Sequence, residues 1–215
     1  MKLADYVMSF LAEKGVKTVF MLPGGGCMHL VDSLGRNKDL DYVCCLHEQA
    51  AAIAAESYAQ HTNNIGATLV TTGPGGTNTI TGVSAAWIDS TPVIFISGQV
   101  KRSDLMGCSG VRQMGPQEVN IVPIVQSITK YATTVTEPQK IKSILEEAYY
   151  LATTGRKGPV WIDIPLDVQA AEIDVDTLAE FVVQKEDDTL DEELINKIKA
   201  SLETAKRPLD RKSVV

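Results

Sequence analysis

Glu48 stands where an apolar run gives way to a helix built on alanine. In LHEQAAAIAAESYAQ, residues 46–60, it follows Val43, Cys44, Cys45 and Leu46 and precedes five alanines in six positions. A carboxyl in such surroundings loses hydration, which favours its neutral acid form. A helix N-terminus works the other way, because its partial positive charge stabilises the anion. With desolvation dominant, Glu48 is an acid able to share a proton in catalysis. With the helix start facing water, it is an ordinary surface glutamate, and the local sequence leaves both environments open.

Two glycine-rich stretches could join that chemistry. Pro23-Gly24-Gly25-Gly26 ends the run VKTVFML, and Gly73-Pro74-Gly75-Gly76-Thr77-Asn78 follows GATLVTT. Each has a plain structural reading, the first as a tight turn or close helix–strand approach, the second as a loop whose Thr77 or Asn78 caps the next helix. Neither is a nucleotide signature, since GxGxxG and GxxxxGK[ST] are both absent. His29 and His47 read as structural histidines, and Trp87 and Trp161 as packing residues. Cys44 and Cys45 read as small hydrophobes alternating between the core and the opposite face. Together with Cys27 and Cys108 they show neither CxxC spacing nor a Cys/His cluster, so neither a metal ligand set nor a disulfide framework is expected.

The elements that must position these residues alternate along the chain. Leu3, Val7, Phe10 and Leu11 recur at helical spacing before Gly15; VKTVFML then reads as a buried strand, MHLVDSLG as a helix and DYVCCL as a strand, with the alanine helix starting near Glu48. GATLVTT and PVIFISG read as strands on either side of the helix TITGVSAAWIDS. A long polar connection from Gln99 to Gln117 leads to EVNIVPIVQ, SITKYATTV, the helix PQKIKSILEEAYYLATT and the strand GPVWIDIP. Strands that are apolar throughout and separated by helices predict an α/β fold, three layers α/β/α around a mainly parallel sheet covered on both faces. Ligands of such sheets gather at the carboxyl ends of the strands. Glu48 and both glycine stretches fall there, so they should converge. After Glu172, IDVDTLAEFVVQKEDDTLDEE reads as an acidic linker into a last helix near ELINKIKASLETA, which divides the chain into a domain over 1–172 and an appendage over 173–215.

Composition removes several function classes. The 215 residues are 44% apolar, enough for a sizeable core. Twenty basic and 27 acidic residues give a net charge of −7 with no basic run longer than a pair, so no nucleic-acid partner is expected. MKLADYVMSFLAEKG carries charges throughout, unlike a signal peptide, and no later run reaches the ~18 apolar residues that a membrane helix needs. No membrane partner is expected, and a reducing cytoplasm is the expected compartment.

Taken together, VFMLPGGGCMHLVDSL, LHEQAAAIAAESYAQ, TTGPGGTNTITGVSAAWIDSTPVIFISGQV, QEVNIVPIVQSITKYA and GRKGPVWIDIPLDVQ resemble one family in order and spacing. From about Lys2 to Ala171 they are similar to the amino-terminal pyrimidine-binding domain of thiamine diphosphate enzymes of the acetolactate synthase type. The resemblance implies roles. The glutamate matched by Glu48 hydrogen-bonds N1′ of the cofactor's aminopyrimidine, promoting the imino tautomer whose 4′-nitrogen removes the thiazolium C2 proton. A 2-oxo acid then loses carbon dioxide, and the remainder joins a second carbonyl compound or is protonated, which is transferase or lyase chemistry. Pro23 and Gly24 would line the pyrimidine pocket, with Thr71, Pro74 and Asn78 along its opposite wall. Gln117 would reach toward the reacting centre, and residues 110–116 would belong to the active-site loop.

Departures from the family pattern shape the remaining expectations. Ala50 stands where acetolactate synthases usually have glycine after HEQ, and Pro116 where they have an aromatic residue before QE, which bears on the particular 2-oxo acid. In the family a carboxyl-terminal domain with a GDG…N motif holds the diphosphate and Mg2+, and GDG does not occur in this sequence. The motifs do not decide whether FAD is bound. The resemblance thus implies the pyrimidine-binding portion of the enzyme, inactive alone, followed over 173–215 by a linker and the start of a truncated middle domain. AKRPLDRKSVV departs from the apolar strand that follows RPL in similar proteins. Because the family's active site lies between subunits, a homodimer or homotetramer is expected. The alternative function is a non-catalytic binding or regulatory module of the same fold that pairs with another chain.

Overall fold

The computed structural model describes residues 1–183 and 191–208. The chain divides into two units, Met1–Phe181 and Val182–Val215. In the first, β1 (Thr18–Met21), β2 (Asp41–Cys44), β3 (Gly66–Val70), β4 (Val93–Gln99), β5 (Tyr131–Thr134) and β6 (Val160–Pro165) form one sheet in the order β2-β1-β3-β4-β6-β5. Every pairing is parallel. Helices α1 (Leu3–Glu13), α2 (Met28–Arg36), α7 (Ile141–Thr153) and α8 (Leu166–Gln169) contribute to one core cluster. A second cluster holds residues of α3 (Glu48–Thr62), α5 (Ile80–Ile88) and α6 (Ile121–Val125), and α4 (Pro74–Asn78) leads into α5. Alternate strand residues feed the two clusters, Ile94 and Ile96 the first and Val93 and Phe95 the second. That is the expected three-layer arrangement.

Every residue of β3, β4 and β6 is buried, as their unbroken apolar character predicts for central parallel strands. Trp161 is fully buried and stacks on Phe95 with centroids 5.7 Å apart and planes 11° from parallel. Met21 pairs with both Cys44 and Leu69, Val70 with Ser97, and Ser97 with Asp163, so the strand ends come level along one edge. The loops that carry the candidate site all open there.

Position in the sheet overturns some sequence expectations. DYVCCL reads as one of the apolar strands of a sheet covered on both faces, yet all four residues of β2 are exposed, and β2 is an edge strand with one neighbour. Cys44 is exposed and Cys45 half-buried, so they do not alternate between core and surface. Trp87, read as packing, is 40% exposed on α5.

Residues 173–181, within the stretch read as a linker, fold as part of the first unit. Ile173 and Leu178 are buried in its core, and the Phe181 ring lies 5.8 Å from Tyr150. The acidic part of that stretch at 184–190 and the charged end at 209–215 lie outside the described residues. In the second unit, α9 (Glu192–Thr204) begins at Asp191, whose side chain accepts from the Glu193 and Leu194 N–H groups. Leu194, Ile198 and Leu202 recur at helical spacing along it and are exposed. No helix among the described residues is long and apolar enough to cross a membrane.

Helical glycines give opposite expectations according to their neighbours. A β-carbon at Gly82 in α5 would stand 2.4 Å from the Ala52 β-carbon of α3, whereas one at Gly35 in α2 meets nothing within 4 Å. Gly82→Ala is expected to cost about 1–3 kcal/mol by forcing α3 and α5 apart, while Gly35→Ala gains up to about 1 kcal/mol of helix propensity. Chemical denaturation of both variants checks this. Equal midpoints would contradict the tight α3–α5 contact.

Candidate functional site

Glu48 is the first residue of α3, and its environment follows from the residue before it. His47 is extended at φ −155°, ψ 142°, and its Nδ1 accepts from the Gln49 N–H at 3.1 Å. The cap is thereby provided by the histidine, which leaves the glutamate side chain free to turn inward. Glu48 is only 8% exposed, and its Oε2 accepts from Asn78 Nδ2 at 2.9 Å. The other oxygen looks toward glycine. A β-carbon at Gly75 would lie 3.8 Å from Glu48 Oε1 and 2.8 Å from Thr71 Cγ2. Of the two environments the sequence left open, the buried one is realised.

The glycine turns meet as expected. Gly24 packs so closely on Thr71 that a β-carbon would stand 2.5 Å from the Thr71 β-carbon, and the Gly26 N–H donates to Thr71 Oγ1 at 3.0 Å. Behind this turn, a β-carbon at Gly98 would fall 2.0 Å from the Gly26 carbonyl oxygen. Gln169 Nε2 donates to that same carbonyl and to the Ile164 carbonyl, each at 2.7 Å.

The second glycine stretch corrects the sequence reading. Pro74–Asn78 is a turn of helix rather than a loop, with Pro74 at its first position, where a missing N–H costs nothing. Neither Thr77 nor Asn78 caps α5; Thr79 occupies that position without a side-chain cap bond, and Asn78 spends its amide on Glu48. Pro23 and Pro74 are exposed at the rim. Gln117 is exposed too, and it joins the site through its backbone: a β-carbon at Gly73, itself at φ +61°, would stand 2.0 Å from the Gln117 carbonyl oxygen. Gln117 also lies at φ +60°, sparsely populated for a residue with a side chain.

Two polar features went unread in the sequence. The buried Glu118 carboxylate accepts from the N–H groups of Met106 at 2.5 Å, Met114 at 2.8 Å and Gly115 at 3.3 Å, which organises the long connection before α6. Below it lies a fully buried acid. Asp163 Oδ1 accepts from Ser97 Oγ at 2.5 Å, and Oδ2 from Gln99 Nε2 at 3.1 Å and Thr134 Oγ1 at 3.2 Å. Burial pushes its pKa up to about 7 against the opposing pull of these three donors. A cavity of about 150 Å³ is lined by Gln99, Met106, Glu118, Asn120, Thr134 and Asp163, among others. The available signal was polar residues inside apolar strands, Ser97 and Gln99 in VIFISGQ and Asp163 in VWIDIP.

Residues 1–124 match the family model for the thiamine pyrophosphate enzyme N-terminal TPP binding domain. The chain belongs to this family. It is 40% identical over 166 residues to the acetolactate synthase, chloroplastic, of Arabidopsis thaliana, a match covering 77% of this chain and 24% of that protein. It is 39% identical over 170 residues to the acetolactate synthase large subunit of Lactococcus lactis subsp. lactis, covering 79% and 28% respectively. The acetolactate synthase isozyme 3 large subunit of Escherichia coli is 39% identical over 165 residues, covering 77% and 28%. The matches thus span about a quarter of the length of these relatives. For a TPP binding domain the residues present fit: a water-shielded carboxyl beside a wall that glycine keeps open. No group of three or more His, Cys, Asp or Glu able to hold a metal occurs among the described residues.

Gly73→Ala is expected to displace the Gln117 segment and cost at least about 1–3 kcal/mol, since the β-carbon meets backbone at a positive φ. Denaturant unfolding measures it, and a loss within error of zero contradicts the close approach. Asp163 makes a pH prediction. Its folded value of about 7 exceeds its ordinary 3.8, so the native state holds the extra proton between them. Its stabilising effect is complete below about 3.8 and is lost as pH rises toward about 7, with a slope of at most about 1.4 kcal/mol per pH unit. Asp163→Asn should flatten that part of the stability–pH curve; an unchanged curve would refute the assignment.

Proposed function

We propose that this chain supplies the aminopyrimidine side of a thiamine diphosphate site in an acetolactate synthase-like enzyme acting on 2-oxo acids. The observation that carries this reading is the buried Glu48 carboxyl, with one oxygen held by Asn78 and the other turned toward Gly75. Bound thiamine diphosphate supplies the electron sink that lets a 2-oxo acid lose carbon dioxide. The chain's own residues handle one proton. Asn78 holds the Glu48 carboxyl in a single orientation, and burial shields that carboxyl from bulk water, so a proton it carries can pass to a ring nitrogen. Gly24 and Gly75 let both turns pack directly on Thr71, where a β-carbon would clash, and the turns so braced would form the walls for a flat ring. Gln117 stands at the rim, where its exposed side chain can reach a reacting carbonyl.

The same reading assigns the remaining parts of the reaction to other protein. The diphosphate and Mg2+ would be held by another domain or subunit, and this chain alone would be inactive. Pairing as a homodimer or homotetramer would bring the two halves of the site together. Transferase chemistry joins the decarboxylated fragment to a second carbonyl compound, and lyase chemistry releases it. A cytoplasmic setting fits the exposed Cys44 and Cys108 thiols.

Pyruvate decarboxylation by the thiamine diphosphate- and magnesium-loaded assembly containing this chain tests the reading. Glu48→Gln is expected to lower turnover by about 10²–10⁴-fold. Undiminished turnover in that variant would remove the proton role. Cofactor binding without turnover in the unaltered assembly would favour the non-catalytic module instead.

A further inference from the structure

Gln99, the last residue of β4, is 2% exposed and uses its whole amide. Its Oε1 accepts from Thr72 Oγ1 at 2.8 Å and from the Val100 N–H at 2.9 Å. Its Nε2 donates to the Val119 carbonyl at 2.9 Å and to Asp163 Oδ2 at 3.1 Å. One side chain thus ties the loop between Thr71 and Gly73 to the segment that follows Gln117, and anchors both on Asp163. We propose that Asp163 and Gln99 are positioning residues, a buried hydrogen-bond hub that sets the spacing between the Thr71–Gly73 loop and the Gln117 segment according to the protonation state of Asp163. The inference rests on the proposed function only in treating those two segments as walls of a cofactor site.

The hydrogen-bond chemistry makes the hub responsive to a proton. As an anion, Asp163 accepts from Ser97, Gln99 and Thr134 and has no donor of its own. A protonated Asp163 must donate once. The hydroxyls of Ser97 and Thr134 can turn to accept, but the Gln99 amide nitrogen cannot, so protonation redistributes the three bonds unequally. Gln99 donates in both states, to an anion in one and to a neutral acid in the other, and it is the arm that reaches the site. Around Asp163, β4 presents Ser97 and Gln99, β5 presents Thr134, and the segment before α6 presents Glu118 and Asn120. Glu118 is the other titratable group among the described residues lining the shared cavity, and its carboxylate is engaged by three backbone N–H groups. Among the described residues, no cation lines the cavity to clamp Asp163 as an anion.

A reporter is built in. Trp161 Nε1–H donates to Ser97 Oγ at 2.9 Å, and Ser97 donates to Asp163, so the buried indole senses the acid through one hydroxyl. The experiment is an NMR pH titration of the 215-residue chain from pH 5 to 9 with Trp87→Phe removing the other indole. It follows the Trp161 indole N–H and the backbone amides of Thr72, Gly73, Val100 and Val119. The expected result is one shared midpoint near 7 for the indole and these amides, abolished at all of them by Asp163→Asn. Gln99→Met should leave the indole titrating while the Thr72 and Gly73 amides stop responding. An indole that does not titrate, amides with a different midpoint, or Thr72 and Gly73 amides that still follow the indole in Gln99→Met would each overturn the hub. No thiamine compound is present, so failure here is distinct from failure of the proposed function. Where Asp163→Asn or Gln99→Met does not fold, the titration with both residues intact still decides, because separate midpoints for indole and amides overturn the hub.

Discussion

The candidate site depends on glycine backbone approaching its neighbours more closely than a side chain would permit. Gly24 lies on Thr71, Gly98 lies over the Gly26 carbonyl, and Gly73 lies against the Gln117 carbonyl. Each glycine lets a loop from one strand end settle on a loop from another. The parallel sheet makes this possible by bringing β1, β3, β4 and β6 level at their carboxyl ends. A β-carbon at any of these contacts would push the loops apart, so the arrangement of the strand-end loops is a consequence of the packing of glycine.

Burying acids carries a cost, and three of the buried acids around the strand ends meet it differently. Glu118 is surrounded by backbone N–H donors, which suit an anion and fix the loop that provides them. Asp163 faces two hydroxyls and one amide, a set that accommodates either protonation state. Glu48 has Asn78 on one oxygen and space beside the other. The first two brace the segments that a ligand at Glu48 would meet.

Membership of the TPP binding domain family gives this arrangement a chemical setting, and the limited share of the relatives' length that is matched defines its scope. What the first unit brings together is a buried carboxyl, the amide that holds one of its oxygens, and turns shaped by glycine. The exposed edge strand β2 ends at Cys44, and the fully exposed Leu46 follows it, two residues before Glu48. Sheet edge and site therefore adjoin.

The sequence by itself determined the order of elements, the parallel sheet and the convergence of Glu48 with two glycine turns. These follow from local periodicity, from unbroken apolar strands and from the rule that strand-end loops of a parallel sheet share one edge. Only the tertiary structure decided that β2 lies at the edge with Tyr42, Val43 and Cys44 exposed, because strand order is set by long-range pairing. It likewise turned Asn78 from a helix cap into the partner of Glu48, thirty residues away, and gathered Ser97, Gln99, Thr134 and Asp163 from three strands into one network. A polar residue inside an apolar strand announces that it needs a partner; which partner it finds is fixed by the register between strands, and that is a property of the folded sheet.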